Sequence, residues 1–321
     1  MIRAAKPSAG VIGLGIIGSR VVACLRKAGF QVWIWNRSPR PEPNFLSSAA
    51  EVAETANHIQ IFVSDGPALL SVIRQLEPAL TPDHVILNHA TVSPQETREA
   101  AEIVMSHHAK FLDAPFTGSR NVAERGELVY YIGGDPAVLE TVRPLLEATS
   151  KRILEIGEIG QASVVKIATN LISATAVEAL AEAHALLDCN GIELRKLAQA
   201  LQVNAARSGV SDLKIPGMLS GDFEPSFSLK HMLKDIQLAI GIAAENRLDL
   251  PAANAFAGAA MAGVQQGWAD SDYSVVSRFY RFPGQGHALP EPEPADGSPL
   301  QSPSPAQPAL AKRWSLFGSK K

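Results

Sequence analysis

The run Val11-Ile12-Gly13-Leu14-Gly15-Ile16-Ile17-Gly18-Ser19-Arg20-Val21-Val22-Ala23-Cys24-Leu25 decides how this chain folds. Val11 and Ile12 are β-branched and end a short strand, and Val21, Val22, Leu25 and Ala28 then recur on one face at helical spacing. Between them Gly13, Gly15 and Gly18 stand in G-x-G-x-x-G order, with Leu14, Ile16 and Ile17 as spacers. A dinucleotide loop has a separate use for each glycine: a tight turn, close approach of a pyrophosphate to the backbone, and close packing of helix on strand. The helix N-terminus adds unpaired N–H groups and the positive end of a dipole. Plain surface turns also produce such glycines. Here, however, a strand precedes them, a helix follows, and a second apolar run, Val32-Trp33-Ile34-Trp35, comes close behind. The pattern predicts a nucleotide-binding βαβ unit.

The residues after Trp35 bear on which dinucleotide. An acid at the end of the second strand would hold a ribose 2′-hydroxyl, but this chain has Asn36-Arg37-Ser38, with Arg40 close by. A carboxylate repels a 2′-phosphate, whereas Asn and Ser donate hydrogen bonds and Arg offers a charged fork. The expectation is NADP(H) in preference to NAD(H), against the plainer reading of an ordinary polar turn.

Further along, Pro39, Pro41 and Pro43 keep the next segment out of helix. Ser48 with Glu51, and Ser93-Pro94-Gln95-Glu96, read as capping boxes that open helices. Strands are expected over 58–63, 84–88, 110–114, 127–132 and 152–156, with helices over 67–79 and 135–148 between them. Alternating strands and helices imply a mostly parallel sheet covered on both faces. After Gly160 the character changes: residues 162–190 hold no proline or glycine, and apolar residues recur at helical spacing up to Gly191, a natural C-terminal cap. At ~1.5 Å per residue that helix is roughly 40 Å long. Helical patterns then run to about residue 281. The expected fold is α/β: a Rossmann-type parallel-sheet domain over 1–160 and an all-helical domain over 161–282, joined by the long helix. Residues 283–321 are proline-rich and read as a disordered tail, closing in Lys312-Arg313-Trp314-Ser315-Leu316-Phe317.

A net charge of −3 gives no electrostatic case for nucleic-acid binding. No apolar run is read as reaching membrane-spanning length, and the first ten residues lead straight into a strand without a signal-peptide core. Cys24 and Cys189 both fall in expected helices, and two buried thiols fit a reducing cytoplasm. Nothing has metal-ligand spacing.

Two stretches can carry chemistry. Reducing a carbonyl with a nicotinamide needs a proton donor for the developing alkoxide. Lys166 and Asn170, four apart, share one face near the start of the long helix, among Val164, Val165, Ile167, Ala168, Leu171 and Ile172. In a partly dry cleft such a lysine loses affinity for its proton and transfers it more readily. On a wet surface it would merely snorkel. The second stretch, residues 113–121, follows a strand. In it Thr117, Gly118, Ser119 and Arg120 can aim N–H and O–H donors at a carboxylate, unless they form a plain turn.

Together these pieces resemble the β-hydroxyacid dehydrogenases, which include 3-hydroxyisobutyrate dehydrogenase, tartronate semialdehyde reductase and the glyoxylate/succinic semialdehyde reductases. The resemblance covers roughly residues 10–282. The family's Asp-Ala-Pro-Val-Ser-Gly substrate motif matches Asp113 to Ser119 with Thr117 in place of serine, and its Lys-x-x-Asn-Asn signature falls on Lys166 to Asn170. Ser119-Arg120 and Ala123-Glu124-x-Gly126 look most like the glyoxylate/succinic semialdehyde branch. The resemblance implies that Lys166 is the catalytic lysine, with Asn170 as its partner. It also implies substrate contacts at 117–120 and cofactor contacts at Val63, Ser64, Thr91 and Lys234, the last within Lys234-Asp235-Ile236. It further implies assembly as a homodimer or homotetramer.

Departures stand at Thr169, Ala162, Ser64-Asp65 and Asn88-His89-Ala90, of which His89 and Ala90 are expected to reshape the nicotinamide end. The implied substrate is a small carboxylated aldehyde, or its hydroxy acid in reverse. The imine reductases share this fold but typically lack the lysine. A non-catalytic NADP-binding interaction protein is the alternative of another class.

Because a disordered segment makes few folded-state contacts, truncation after Phe282 is expected to leave melting temperature and turnover nearly unchanged. A large loss of either, by calorimetry or NADPH absorbance, would show that Trp314, Leu316 or Phe317 packs on the body.

Overall fold

The computed structural model describes residues 8–280. The proline-rich tail lies outside the described residues. Strands β1 (Ser8–Ile12), β2 (Gln31–Trp35), β3 (His58–Ile61), β4 (Val85–Asn88) and β5 (Lys110–Asp113) pair in parallel in the order β2-β1-β3-β4-β5. The chain then doubles back. β6 (Phe116–Thr117) and β5 both pair antiparallel with β7 (Leu128–Gly133), and β8 (Ser150–Gly157) runs parallel to β7. Strand order reverses between β1 and β3, the kind of point at which open sheets bind ligands beyond their strand ends. The two-residue β6 was not expected, because Pro115 and Gly118 leave too short a run for any periodicity to register.

Helices α1 (Gly18–Lys27), α2 (Ala49–Thr55), α3 (Gly66–Leu76), α4 (Pro94–Ser106), α5 (Arg120–Glu124) and α6 (Pro136–Glu147) alternate with the strands. On one face Val21, Leu25, Val142 and Leu146 pack on the sheet; on the other Val52, Leu69, Ile73 and Val104 do. Each such side chain contributes ~1.5–3 kcal/mol by leaving water. Of the two expected capping boxes, one forms in full. Ser93 and Glu96 close a complete capping box on α4. On α2, Ser48 accepts from the Glu51 N–H, but the Glu51 carboxylate turns to the backbone and hydroxyl of Ser47 instead.

The rest is helical: α7 (Gln161–Asp188), α8 (Leu194–Leu201), α9 (Gly209–Ser220), α10 (Leu229–Glu245) and α11 (Pro251–Gln265), then a 3-10 segment, Tyr273–Tyr280. Ala174, Val177, Met232, Ile236, Phe256, Ala260 and Val275 form their common core. Two expectations change here. α7 has 28 residues and a window of mean hydropathy 1.4, so by length and composition it is a helix that could cross a membrane. In this fold its inner face instead packs on α10 and α11 and buries Ser163, Asn170 and Glu178. The cysteines differ too: Cys24 is half-buried and Cys189, capping α7, is exposed, and neither is bonded to the other.

A buried ion pair ties this core together. The Lys214 ammonium lies 2.8 and 2.9 Å from the two oxygens of Asp272, which also accept from the hydroxyls of Ser226 and Ser274. Removing one partner of such a pair leaves an unpaired charge in a dry site, at a cost of about 3–5 kcal/mol. Asp272→Ala is therefore expected to lower unfolding free energy by about that amount in urea titration. A loss below ~1 kcal/mol, the range of exposed pairs, would contradict it.

Candidate active site

The glycine loop sits between β1 and α1. Gly13 has φ +95°, and a Cβ there would stand 2.0 Å from the Phe62 carbonyl oxygen. A Cβ on Gly18 would stand 2.0 Å from the carbonyl oxygen of Gly13, whereas one on Gly15 would meet nothing within 4 Å. Two of the glycines are thus demanded by the protein's own packing. The middle one borders open space, which leaves room for a phosphate to approach the backbone. Neither a side-chain cap nor an acid occupies the start of α1. Leu14 is buried, while Ile16 is exposed and Ile17 is the N-cap residue. This loop fits a dinucleotide pyrophosphate.

Asn36 has another task than the one expected. Its Oδ1 accepts from the Leu14 N–H at 2.9 Å and its Nδ2 donates to the Ser38 carbonyl at 2.8 Å. Its amide is used to brace the glycine loop, so Arg37 and Ser38, both exposed, are the groups left facing outward. At the β3 end Val63 is half-buried, and the Ser64 hydroxyl donates to Asp65, which caps α3 through the Ala68 N–H. Asp65 therefore accounts for one departure from the family pattern. Two further departures, His89 and Ala90, are only 2% and 3% exposed. The His89 ring stacks on Phe62 at 4.4 Å and lies between the Ala114 carbonyl and Gln60. Burial pushes it down to about 4, so it is neutral and belongs to the core rather than to an open nicotinamide surface.

Lys166 and Asn170 are joined as their spacing implies. The Lys166 ammonium donates to Asn170 Oδ1 at 3.0 Å, and Asn170 Nδ2 donates to Asp235 Oδ2 at 2.6 Å. Asp235, on α10, is the residue that sequence reasoning passed over. It was quoted in Lys234-Asp235-Ile236, but its part depends on a contact 65 residues away in sequence. Its carboxylate claims the amide NH2 and so turns the amide oxygen toward the lysine. Burial pushes the Lys166 ammonium down to about 8; the Asp235 charge works against this shift and that of Lys234 adds to it. Lys234 lies 2.7 Å from Asp235 Oδ1 and donates to the carbonyl oxygen of Thr91 just beyond β4, linking α10 to the carboxyl end of a central strand.

In the loop after β5, Gly118 has φ +146°, and a Cβ there would press on Leu128. Ser119 is the N-cap residue of α5, yet its hydroxyl makes no capping bond, so it is open to a ligand. Thr117 is half-buried in β6. Arg120 reaches across to Glu224, 3.2 Å away, before α10. Among the described residues no hydrogen bond joins residues 117–120 to Lys166. The link is Asp113, at the end of β5, whose carboxylate accepts from the backbone of Gly160 and Ser163 at the start of α7. The glycine loop follows β1, residues 117–120 follow β5, and the start of α7 is bonded to the end of β5, so all three lie beyond the ends of parallel strands.

Two family models cover nearly all of this structure. The NAD binding domain of 6-phosphogluconate dehydrogenase matches residues 8–157, and the NAD-binding region of NADP-dependent 3-hydroxyisobutyrate dehydrogenase matches residues 160–280. The chain belongs to the β-hydroxyacid dehydrogenase family. It is an NAD(P)-dependent oxidoreductase acting on CH–OH groups. It is 28% identical to glyoxylate/succinic semialdehyde reductase 1 of Arabidopsis thaliana, over 85% of this chain and 98% of the relative. It is also 28% identical to the cytokine-like nuclear factor N-PAC of Homo sapiens, over 84% of this chain but only 51% of that longer protein. The solved 3-hydroxyisobutyrate dehydrogenase of Mycobacterium tuberculosis with L-serine superposes with a TM-score of 0.79 at 25% identity, covering 87% of this chain and 100% of that one.

Proposed function

We propose that this dehydrogenase uses NADPH to reduce a small carboxylated aldehyde such as glyoxylate or succinic semialdehyde, or oxidises the matching β-hydroxy acid in reverse. The single observation that carries this reading is the chain Lys166–Asn170–Asp235 at the strand ends. The bound nicotinamide supplies or takes the hydride. In reduction, Lys166 gives its ammonium proton to the carbonyl oxygen as charge develops there, and Asn170 holds the ammonium in line. The open hydroxyl of Ser119, with Thr117 and the Gly118 N–H, takes the substrate carboxylate, helped by Arg120 once it leaves Glu224. A relative named as a semialdehyde reductase and a neighbour solved with L-serine, itself a β-hydroxy acid, support this substrate class.

Gly13, Gly15 and Gly18 with Leu14, Ile16 and Ile17 receive the pyrophosphate; Val63, Ser64, Thr91 and Lys234 border the rest of the cofactor. Residues 1–160 form the main cofactor-binding domain, to which Lys234 adds a contact from α10, and residues 161–282 serve substrate closure and assembly. Ile172 and Leu186, each 66% exposed on α7, support a homodimer or homotetramer. Two unpaired cysteines are consistent with a cytoplasmic location.

With Asn36 engaged, 2′-phosphate recognition rests on Arg37 and Ser38. A charge-assisted contact is worth roughly 1.5–3 kcal/mol, or about one to two decades of affinity. Direct titration is expected to give a lower Kd for NADPH than for NADH, and Arg37→Ala is expected to weaken NADPH by about 10–100-fold while sparing NADH. Equal affinities in the unaltered enzyme would rule out the preference.

Lys166→Met keeps length and apolar packing but removes the proton. General acid catalysis contributes about 10²–10⁴-fold, so kcat on the best aldehyde is expected to fall at least ~100-fold with little change in NADPH affinity. The sign of the pH dependence follows from the protonated form being the donor. Reduction should be level below about 8 and decline above it, and oxidation, which needs the free amine, should rise through the same pH. Near-normal turnover by Lys166→Met, or activity on cyclic imines alone, would favour the imine-reductase reading.

A further inference from the structure

The helix that carries Lys166 has no cap of its own. Gly160, its N-cap residue, is left-handed with φ +92°, offers no side chain, and is followed by no acid in the first turn. The orphan N–H groups turn instead to a residue 47 positions upstream. Gly160 N–H and Ser163 N–H donate to Asp113 Oδ2 at 3.0 and 2.9 Å, and the Ser163 hydroxyl donates to Oδ1 at 2.8 Å. Thr97 of α4 stands 3.0 Å from that hydroxyl. Asp113, Ser163 and Thr97 are all fully buried. Both carboxylate oxygens are thus spent on one helical turn, with the charge sign that the helix dipole favours.

Asp113 is itself held firmly. It sits in sheet register opposite Asn88 on one side and Gly133 on the other, and the next residue, Ala114, donates its N–H to the Asn88 carbonyl. The approach of the helix is tight as well. A Cβ on Gly133 would meet the Glu158 carbonyl oxygen at 2.4 Å. From Asp113 the chain runs on through Pro115 to the substrate loop at Thr117–Arg120, while Lys166 stands one turn beyond Ser163. One buried carboxylate therefore marks the origin of the loop and the start of the helix together.

Resting on the reading of Lys166 as proton donor, we propose that Asp113 is a positioning residue whose carboxylate holds the first turn of α7 against the end of β5 and so sets where the Lys166 ammonium stands relative to the substrate loop. It is fully buried, and both its oxygens are taken up by α7. Its effect passes through Gly160 and Ser163 to the helix and through the helix to the lysine.

The test uses full-length Asp113→Asn, Ser163→Ala and Ser163→Thr, with Lys166→Met as reference, assayed on whichever of glyoxylate and succinic semialdehyde the unaltered enzyme reduces faster. Asparagine turns an NH2 toward donors that need an acceptor, so Asp113→Asn is expected to lower kcat at least tenfold. The Kd for NADPH should stay within twofold, because the glycine loop belongs to β1 and α1. The alkaline limb of the kcat profile should also move upward, since a displaced ammonium becomes wetter. Ser163→Ala should move kcat and limb the same way, with a two- to fivefold loss, and Ser163→Thr, which keeps the hydroxyl, should restore the limb. A purely structural role would reduce melting temperature and active fraction and leave the limb in place. Folded Asp113→Asn with unaltered kcat and limb overturns the proposal while Lys166→Met is inactive. If Asp113→Asn fails to fold, an unmoved limb and kcat in Ser163→Ala overturn it. Normal turnover by Lys166→Met overturns the proton-donor reading and this proposal with it.

Discussion

Asp113 accepts three hydrogen bonds from the first turn of a 28-residue helix, and that contact fastens the start of the helix to the end of a central strand. A buried carboxylate is costly: burial pushes Asp113 up to about 6, although its three donors pull the other way. It persists because the alternative is also costly, a buried helix end with unpaired N–H groups. Each group satisfies the other, and the geometry that results is narrow. Neutral contacts between apolar surfaces tolerate sliding; a two-oxygen carboxylate facing three fixed donors does not.

The same economy of buried polar groups shapes the lysine. Lys166, Asn170 and Asp235 form a line in which every member's orientation is set by the next. Asp235 can only accept, so it takes the amide NH2; the amide oxygen is then left for the ammonium. Desolvation brings Lys166 down to about 8, closer to neutrality than an exposed lysine. Asp235 moderates that shift, keeping the lysine mostly charged at neutral pH. The charge of Lys234, anchored on Thr91, enters the balance with the opposite sign.

In the glycine loop, packing and open space are divided between neighbouring glycines. Gly13 and Gly18 are compelled by contacts with Phe62 and with each other, so they would be required even in a protein that bound nothing. Gly15 alone answers to open space. Asn36 braces this loop through the Leu14 N–H and the Ser38 carbonyl, and the side chains of Arg37 and Ser38 that follow it are exposed.

Sequence alone determined whatever is local. The strand–glycine–helix order, the capping box at Ser93 and Glu96, the extent of α7 and the Lys166–Asn170 pairing all follow from contacts within a few residues, where propensity and spacing act directly. Family motifs singled out residues 117–120 and Lys234 as well, though not what those side chains touch. Tertiary structure decided what depends on residues far apart in the chain. It placed Asp235 behind Asn170, turned the Asn36 amide inward to Leu14, sank His89 against Phe62 and gave α7 its cap from Asp113. It also paired Lys214 with Asp272 in the helical core. No periodicity marks such partners in advance. A buried polar group must find some partner, but only the packed chain settles which one lies within three ångströms.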